Sequence, residues 1–163
     1  MSFTPVLTQA VIAGIYSAVQ DFALQSGLFT STEDHEGRNA PGQGLSCQVL
    51  MGTIEPVRAS GLNATSARME FTVRVSAPRM QTPDGATDQA VMYVGAYLIG
   101  AFTNDFDVDE LEPEGLVREI DVLGAHGDAL KFEPGWLAQD GSPYRVGELT
   151  LPLILNDVFP QGA

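Results

Sequence analysis

ARMEFTVRVSA, residues Ala67–Ala77, decides the fold. Met69, Phe71, Val73 and Val75 fall on one side of an extended chain, and Arg68, Glu70, Thr72, Arg74 and Ser76 on the other. Side chains alternate across a strand, so one face suits a core and the other suits water, as in an antiparallel sheet. Just upstream, Leu45, Cys47, Val49 and Met51 alternate with Ser46, Gln48, Leu50 and Gly52. This predicts a partner strand ending near Glu55. Pro56–Ser66 (PVRASGLNATS) then reads as a long connection between the two.

Helices flank the pair. Leu7, Val11, Ile15, Ala18 and Phe22 form an apolar stripe at helical spacing, which predicts a helix over Pro5–Gln25. Thr4 suits its N-cap, Pro5 its first position and Gly27 its C-terminal stop. Thr30–Gly44 (TSTEDHEGRNAPGQG) is polar and reads as an exposed loop. On the other side, Pro78–Gly85 is rich in turn residues. Ala90, Val91, Val94, Leu98 and Phe102 then line a second helix over Thr87–Phe102, with Tyr93, Tyr97 and Ala101 adding bulk. Gly95, Ala96 and Gly100 on it suggest close packing. Asn104–Glu114 (NDFDVDELEPE) is acidic and loop-like.

The last third reads as strands: Leu116–Leu123, a turn at Gly124–Asp128, a short strand Ala129–Glu133 stopped by Pro134-Gly135, and a long strand Tyr144–Asn156 after the turn Asp140–Pro143. Leu149, Leu151, Leu153 and Leu155 share one face of the last, and Pro152 within it argues for an edge or a bulge. Leu50 and Ile154 fall on the nominally polar faces of their strands. They suit either a neighbouring subunit or a second layer of core in the same chain. The expected fold is α+β, a mainly antiparallel sheet of four to five strands with two helices packed on one face. One domain spans residues 1–163, with exposed loops near 30–44, 56–66 and 104–115.

Composition excludes several functions. The chain has 163 residues, 44% of them hydrophobic, enough for a core and too few for a second one of ordinary size. Asp and Glu number 21 against 8 Lys and Arg, for a net charge of −13, and Lys131 is the one lysine. Gripping a phosphate backbone or an anionic membrane takes clustered cations that this chain lacks. A lone cysteine, Cys47, excludes an intramolecular disulfide or a thiolate zinc cage, and its apolar neighbours point to a core residue. Residues 5–25 carry Gln9, Gln20, Asp21 and Gln25, so no membrane span or secretory leader is expected, and the chain reads as cytosolic or assembled in a cytosol.

No catalytic or metal site emerges. His35 lies in the acidic loop with no second histidine near. His126 precedes Gly127-Asp128, but no serine sits in a nucleophile-elbow context, so a turn is the better reading. Asp105, Asp107 and Asp109 resemble the start of a calcium loop. Glu110 and Leu116 then occupy the positions where the loop needs Gly and Glu. The glycines never form a phosphate-binding spacing, and no cofactor is implied. Arg68, Arg74 and Arg79 are scarce cations. The first two share the solvent-facing side of their strand, which suits a contact with acidic surface on a neighbouring subunit.

The layout resembles the tail terminator proteins of long-tailed bacteriophages and the related head–tail joining and tail completion proteins. The segments that carry it are Pro5–Gln25, Leu45–Glu55 with Ala67–Ala77, Thr87–Thr103, and Leu116–Leu123 with Tyr144–Asn156. The run YRVGELTLPLILNDVF (Tyr144–Phe159) is similar to the family's closing strand. The resemblance implies a structural virion protein with no enzymatic activity. It would form a ring, usually of six subunits, at the head-proximal end of the tail, stop tail tube growth and join the tail tube protein to the head–tail connector. DNA would pass through the lumen without specific binding, because like charge keeps phosphates from adhering. Lumen candidates are Asp105, Asp107, Asp109 and Glu110, or Glu33, Asp34 and Glu36. Another phage tail subunit (tube or minor tail protein), a small soluble ligand- or cation-binding module at Asn104–Glu114, and a hydrolase at His126 and Asp128 are the alternatives.

Overall fold

A computed structural model describes residues 4–29, 31–33, 45–58, 64–78, 84–139 and 142–160. The first helix, α1 (Gln9–Gln25), starts one turn later than the sequence suggested. Its N-cap is Thr8, not Thr4. The Thr8 hydroxyl oxygen accepts the Val11 N–H at 3.2 Å and satisfies one of the helix's orphan donors. Ile15, Val19 and Ala23 step by four along its buried face. Gly27, at φ +73°, takes the left-handed turn that ends it.

Six strands follow: β1 (Ser31–Glu33), β2 (Ser46–Val57), β3 (Ala64–Pro78), β4 (Val117–Ile120), β5 (Lys131–Gln139) and β6 (Ser142–Pro160). The second helix, α2 (Asp84–Asn104), lies between β3 and β4, followed by a short 3-10 turn at Val108–Glu110. Sheet order is β1-β2-β3-β6-β4, with β5 also on β6. Every pairing is antiparallel except β1 with β2. The class is α+β as expected, with the three-residue β1 found inside the predicted loop 30–44.

Both helices pack on one face of the sheet. Ile15 and Val19 from α1 and Val94, Leu98 and Phe102 from α2 meet Val49, Phe71, Val73, Leu149, Leu151 and Leu153 in one core. Gly95 lets α2 come close to the sheet, because the Phe132 ring occupies the space a Cβ would fill. Ala96, by contrast, is exposed.

The strands run further than the sequence suggested. Pro56 and Val57 pair with Ala67 and Ser66, so the expected connection 56–66 shortens from both ends. β5 continues through Pro134 and Gly135 to Gln139. Pro152 does not mark an edge, since β6 is the central strand, lying between β3 and the pair β4 and β5. β5 covers β6 up to Thr150 and β4 begins at Leu153. Pro152 falls in the gap, where its carbonyl accepts the Asp121 N–H at 2.9 Å. A strand residue points its N and its carbonyl the same way, so the missing N–H of Pro152 faces the gap and no ladder bond is lost.

The back of the sheet is not the open polar face that the alternation implied. Ser66, Arg68, Ser76, Pro152 and Ile154 are buried there. Residues 121–130 fold across it, with Gly127 against the Arg68 guanidinium. Ile154 is thus buried within its own chain, while Leu50 is half-buried.

Candidate functional site

Three features of the surface bear on function: the arginines, the acidic turn and the uncovered end of β2.

The arginines do not form one exposed patch. Arg68 is 3% exposed, which corrects the expectation that it faces solvent. Its Nη1 lies 2.8 Å from Glu70 Oε1 and its Nε 3.7 Å from Asp121 Oδ2, while Nη2 donates to the Asp128 carbonyl. Asp121 in turn accepts the N–H of Ala125 at 2.7 Å and of His126 at 2.9 Å. Arg68 and Asp121 therefore clamp the turn 121–128 onto the sheet. His126 takes part through its backbone, in keeping with the turn reading. Arg74 lies on the same face, half-buried, and donates from Nε to Glu148 Oε1 at 3.1 Å, its cross-strand partner in register. Arg79 lies outside the described residues.

Asp105, Asp107, Asp109 and Glu110 are all exposed on the turn after α2. The spacing that resembled a calcium loop has a local cause: the Asp107 carboxylate accepts the Asp109 N–H at 2.9 Å and caps the 3-10 turn. Asp105, Asp107 and Glu110 line a groove of about 470 Å³ together with Asp21 and Gln25 of α1. Phe22, Phe106 and Leu111 give it apolar walls. Phe22 and Phe106 meet edge-on, ring centroids 5.1 Å apart, and both contact Phe102. Among the described residues no group of three or more His, Cys, Asp or Glu is placed to hold a metal ion. Of the other acidic candidates, Glu33 sits in β1, opposite Gln48, and Asp34 and Glu36 lie outside the described residues.

The third feature escaped the sequence reading. β1 pairs with β2 only at Ser46–Gln48, and the Tyr16 hydroxyl donates to the Val49 carbonyl. Beyond that point no described residue pairs with the outer edge of β2. A bulge between Met51 and Ile54 leaves both on the core side of the sheet, opposite Phe71 and Met69, at 53% and 46% exposure. Periodicity assigned Met51 to a core face, but not how far the helices would cover that face. The outer side of α2 is also apolar and uncovered, with Met92, Tyr93 and Tyr97 exposed.

Cys47 is buried in the core as expected, and burial pushes its thiol up from 9.0 to about 12. It has no thiolate to act as a nucleophile near neutral pH. No helix among the described residues is long and apolar enough to cross a membrane.

No protein-family model and no curated protein sequence matches the chain. Among solved structures it is similar to a chain of the virion of a native gene transfer agent particle, at 16% identity, with a TM-score of 0.47. That likeness covers 91% of this chain and all of the other.

Proposed function

We propose that this protein is a non-enzymatic structural component of a phage-type virion, a tail terminator or close relative at the head–tail junction. In this reading it closes into a ring of six subunits on the head-proximal end of the tail. There it stops tube growth and joins the tube protein to the head–tail connector. The observation that carries the proposal is the end of β2, whose outer edge no described residue pairs with beyond Gln48. A strand edge unpaired among the described residues, with exposed Met51 and Ile54, is a surface suited to another chain, and folded monomers ordinarily cover or charge such edges. The layout of helices and strands that resembles the tail terminator family supports it, as does the charge. Exposed carboxylates on residues 105–114 would give the lumen an anionic wall along which DNA moves without adhering.

Light scattering on the purified protein over a wide concentration range tests the reading, together with electron microscopy of tail tubes mixed with it. The expected result is a discrete closed species of six 17.4 kDa subunits, and capped tube ends. A protein that stays monomeric at every concentration and ignores tube ends overturns it.

A further inference from the structure

The outer edge of β2 beyond Gln48, which no described residue pairs with, and the acidic groove complement each other in chemistry. Arg58 follows directly on β2, is exposed, and makes no ion pair or hydrogen bond among the described residues. The cations at Arg68, Arg74, Lys131 and Arg145 are each paired with a carboxylate of their own chain. In a chain of net charge −13, Arg58 stands at the end of the strand that carries the exposed apolar pair Met51 and Ile54. The groove offers the counterpart: apolar walls of Phe22, Phe106 and Leu111, rimmed by the carboxylates of Asp21, Asp105 and Glu110.

The two surfaces are built from different residues of one copy. Tyr16 holds the middle of α1 over β2 at Val49. Phe22, nearly two turns on, reaches Phe102 and Phe106, and the 3-10 turn beside the groove packs on β4. Strands β3 and β6 separate β2 from β4 in the sheet. A contact between two different patches of the same chain is heterologous, and it closes a ring when the rotation between copies divides a full turn.

We infer that the end of β2, with Met51, Ile54 and Arg58, docks into the acidic groove between α1 and residues 105–111 of a second copy of this chain. The inference rests on the ring-forming reading above and names the surfaces through which the ring closes. It assigns Asp105, Asp107 and Glu110 to the contact between subunits and leaves Asp109, Glu112 and Glu114 for the lumen.

Charge swaps and cross-linking test it on the full chain. Arg58→Glu and Glu110→Arg, both exposed, should each raise the concentration at which the protein assembles by on the order of tenfold, because each sets like charges against one another. The two together in one chain should restore assembly. In parallel, an Ile54→Cys variant is mixed with a Gln25→Cys variant and oxidised. Cys47 is buried and stays out of the reaction. A disulfide-linked dimer in the mixture and in neither variant alone is the expected result. Circular dichroism confirms that each variant is folded. If the parent assembles but the swaps change nothing and no dimer links, the docking inference is overturned and the ring reading stands. A parent that stays monomeric, with no link formed, overturns both. A monomeric parent whose mixed variants do link supports the contact and counts against a stable ring.

Discussion

Gly95 of α2 and Gly147 of β6 close on one aromatic ring. A Cβ on Gly95 would stand 2.3 Å from Cδ1 of Phe132, and one on Gly147 would stand 2.0 Å from its Cζ. Neither distance is sterically possible, so the ring fixes how α2 lies against the end of the sheet.

Gly147→Ala is therefore expected to destabilise the protein by about 1–3 kcal/mol, the usual cost of forcing extra volume into a packed site. Phe132→Leu introduced with it should recover part of the loss. Thermal melts of the two single variants and the double variant measure this. Simple additivity would count against the shared ring as the cause.

Arg68→Met keeps the volume of the side chain and removes its charge. Asp121 and Glu70 would then lose a buried cation, so a cost of about 3 kcal/mol is expected. Amide exchange of Ala125 and His126 should speed up, because the clamp on their turn is weakened. A denaturant melt within 0.5 kcal/mol of the parent would show that the clamp is dispensable.

Thr8→Ala removes the hydroxyl that accepts the Val11 N–H and should cost about 1 kcal/mol. Thr4→Ala, one turn earlier, should cost nothing measurable. Equilibrium unfolding of the pair distinguishes the two caps directly.

The thiol of Cys47 gives a pH dependence of known sign. Its folded value of about 12 lies above the ordinary 9.0, so the folded state favours the protonated form. Below pH 9 both states are protonated and stability is unaffected. Between pH 9 and 12 the unfolded chain ionises first, so stability falls by about 1.4 kcal/mol per pH unit. Cys47→Ala removes this component. The gap between parent and variant, measured by chemical unfolding from pH 8 upward, should shift in the variant's favour with that slope. A gap that does not change with pH overturns the prediction.

Much of the fold was legible because its core faces repeat strictly. The alternation from Met69 to Val75 and from Leu149 to Leu155 marks the two long strands, and Ile15, Val94, Leu98 and Phe102 keep helical spacing toward the same core. Prolines misled the reading. Pro56 and Pro134 are tolerated because there β2 and β5 each have a side that no described strand pairs with, and Pro152 because it faces a gap between two neighbours. Arg68 looked solvent-facing because alternation reports which side of a strand a residue takes, not what later folds over that side. The turn that buries it comes from Asp121–Asp128, more than fifty residues on. The acidic turn was legible as a cluster, but the groove it makes with Asp21 and Phe22 of α1 depends on tertiary contact. Met51 and Ile54 were legible as apolar, while their exposure depends on how far the helices cover that face of the sheet.

The placement of β6 has a consequence for how the protein comes into being. β3, β4 and β5 all pair with Ser142–Pro160, the last of the six described strands along the chain. Until that strand emerges, β3 has an open edge, β4 and β5 have no partner in the sheet, and the leucines that complete the core are missing. The nascent chain must carry the apolar face of β3 through about 65 residues of further synthesis before its neighbour arrives, which at typical ribosome speeds lasts several seconds. In that interval the half-made sheet resembles a sticky template more than a folded protein. Whatever shields it during translation, whether the helices or a chaperone, acts before any copy can meet another.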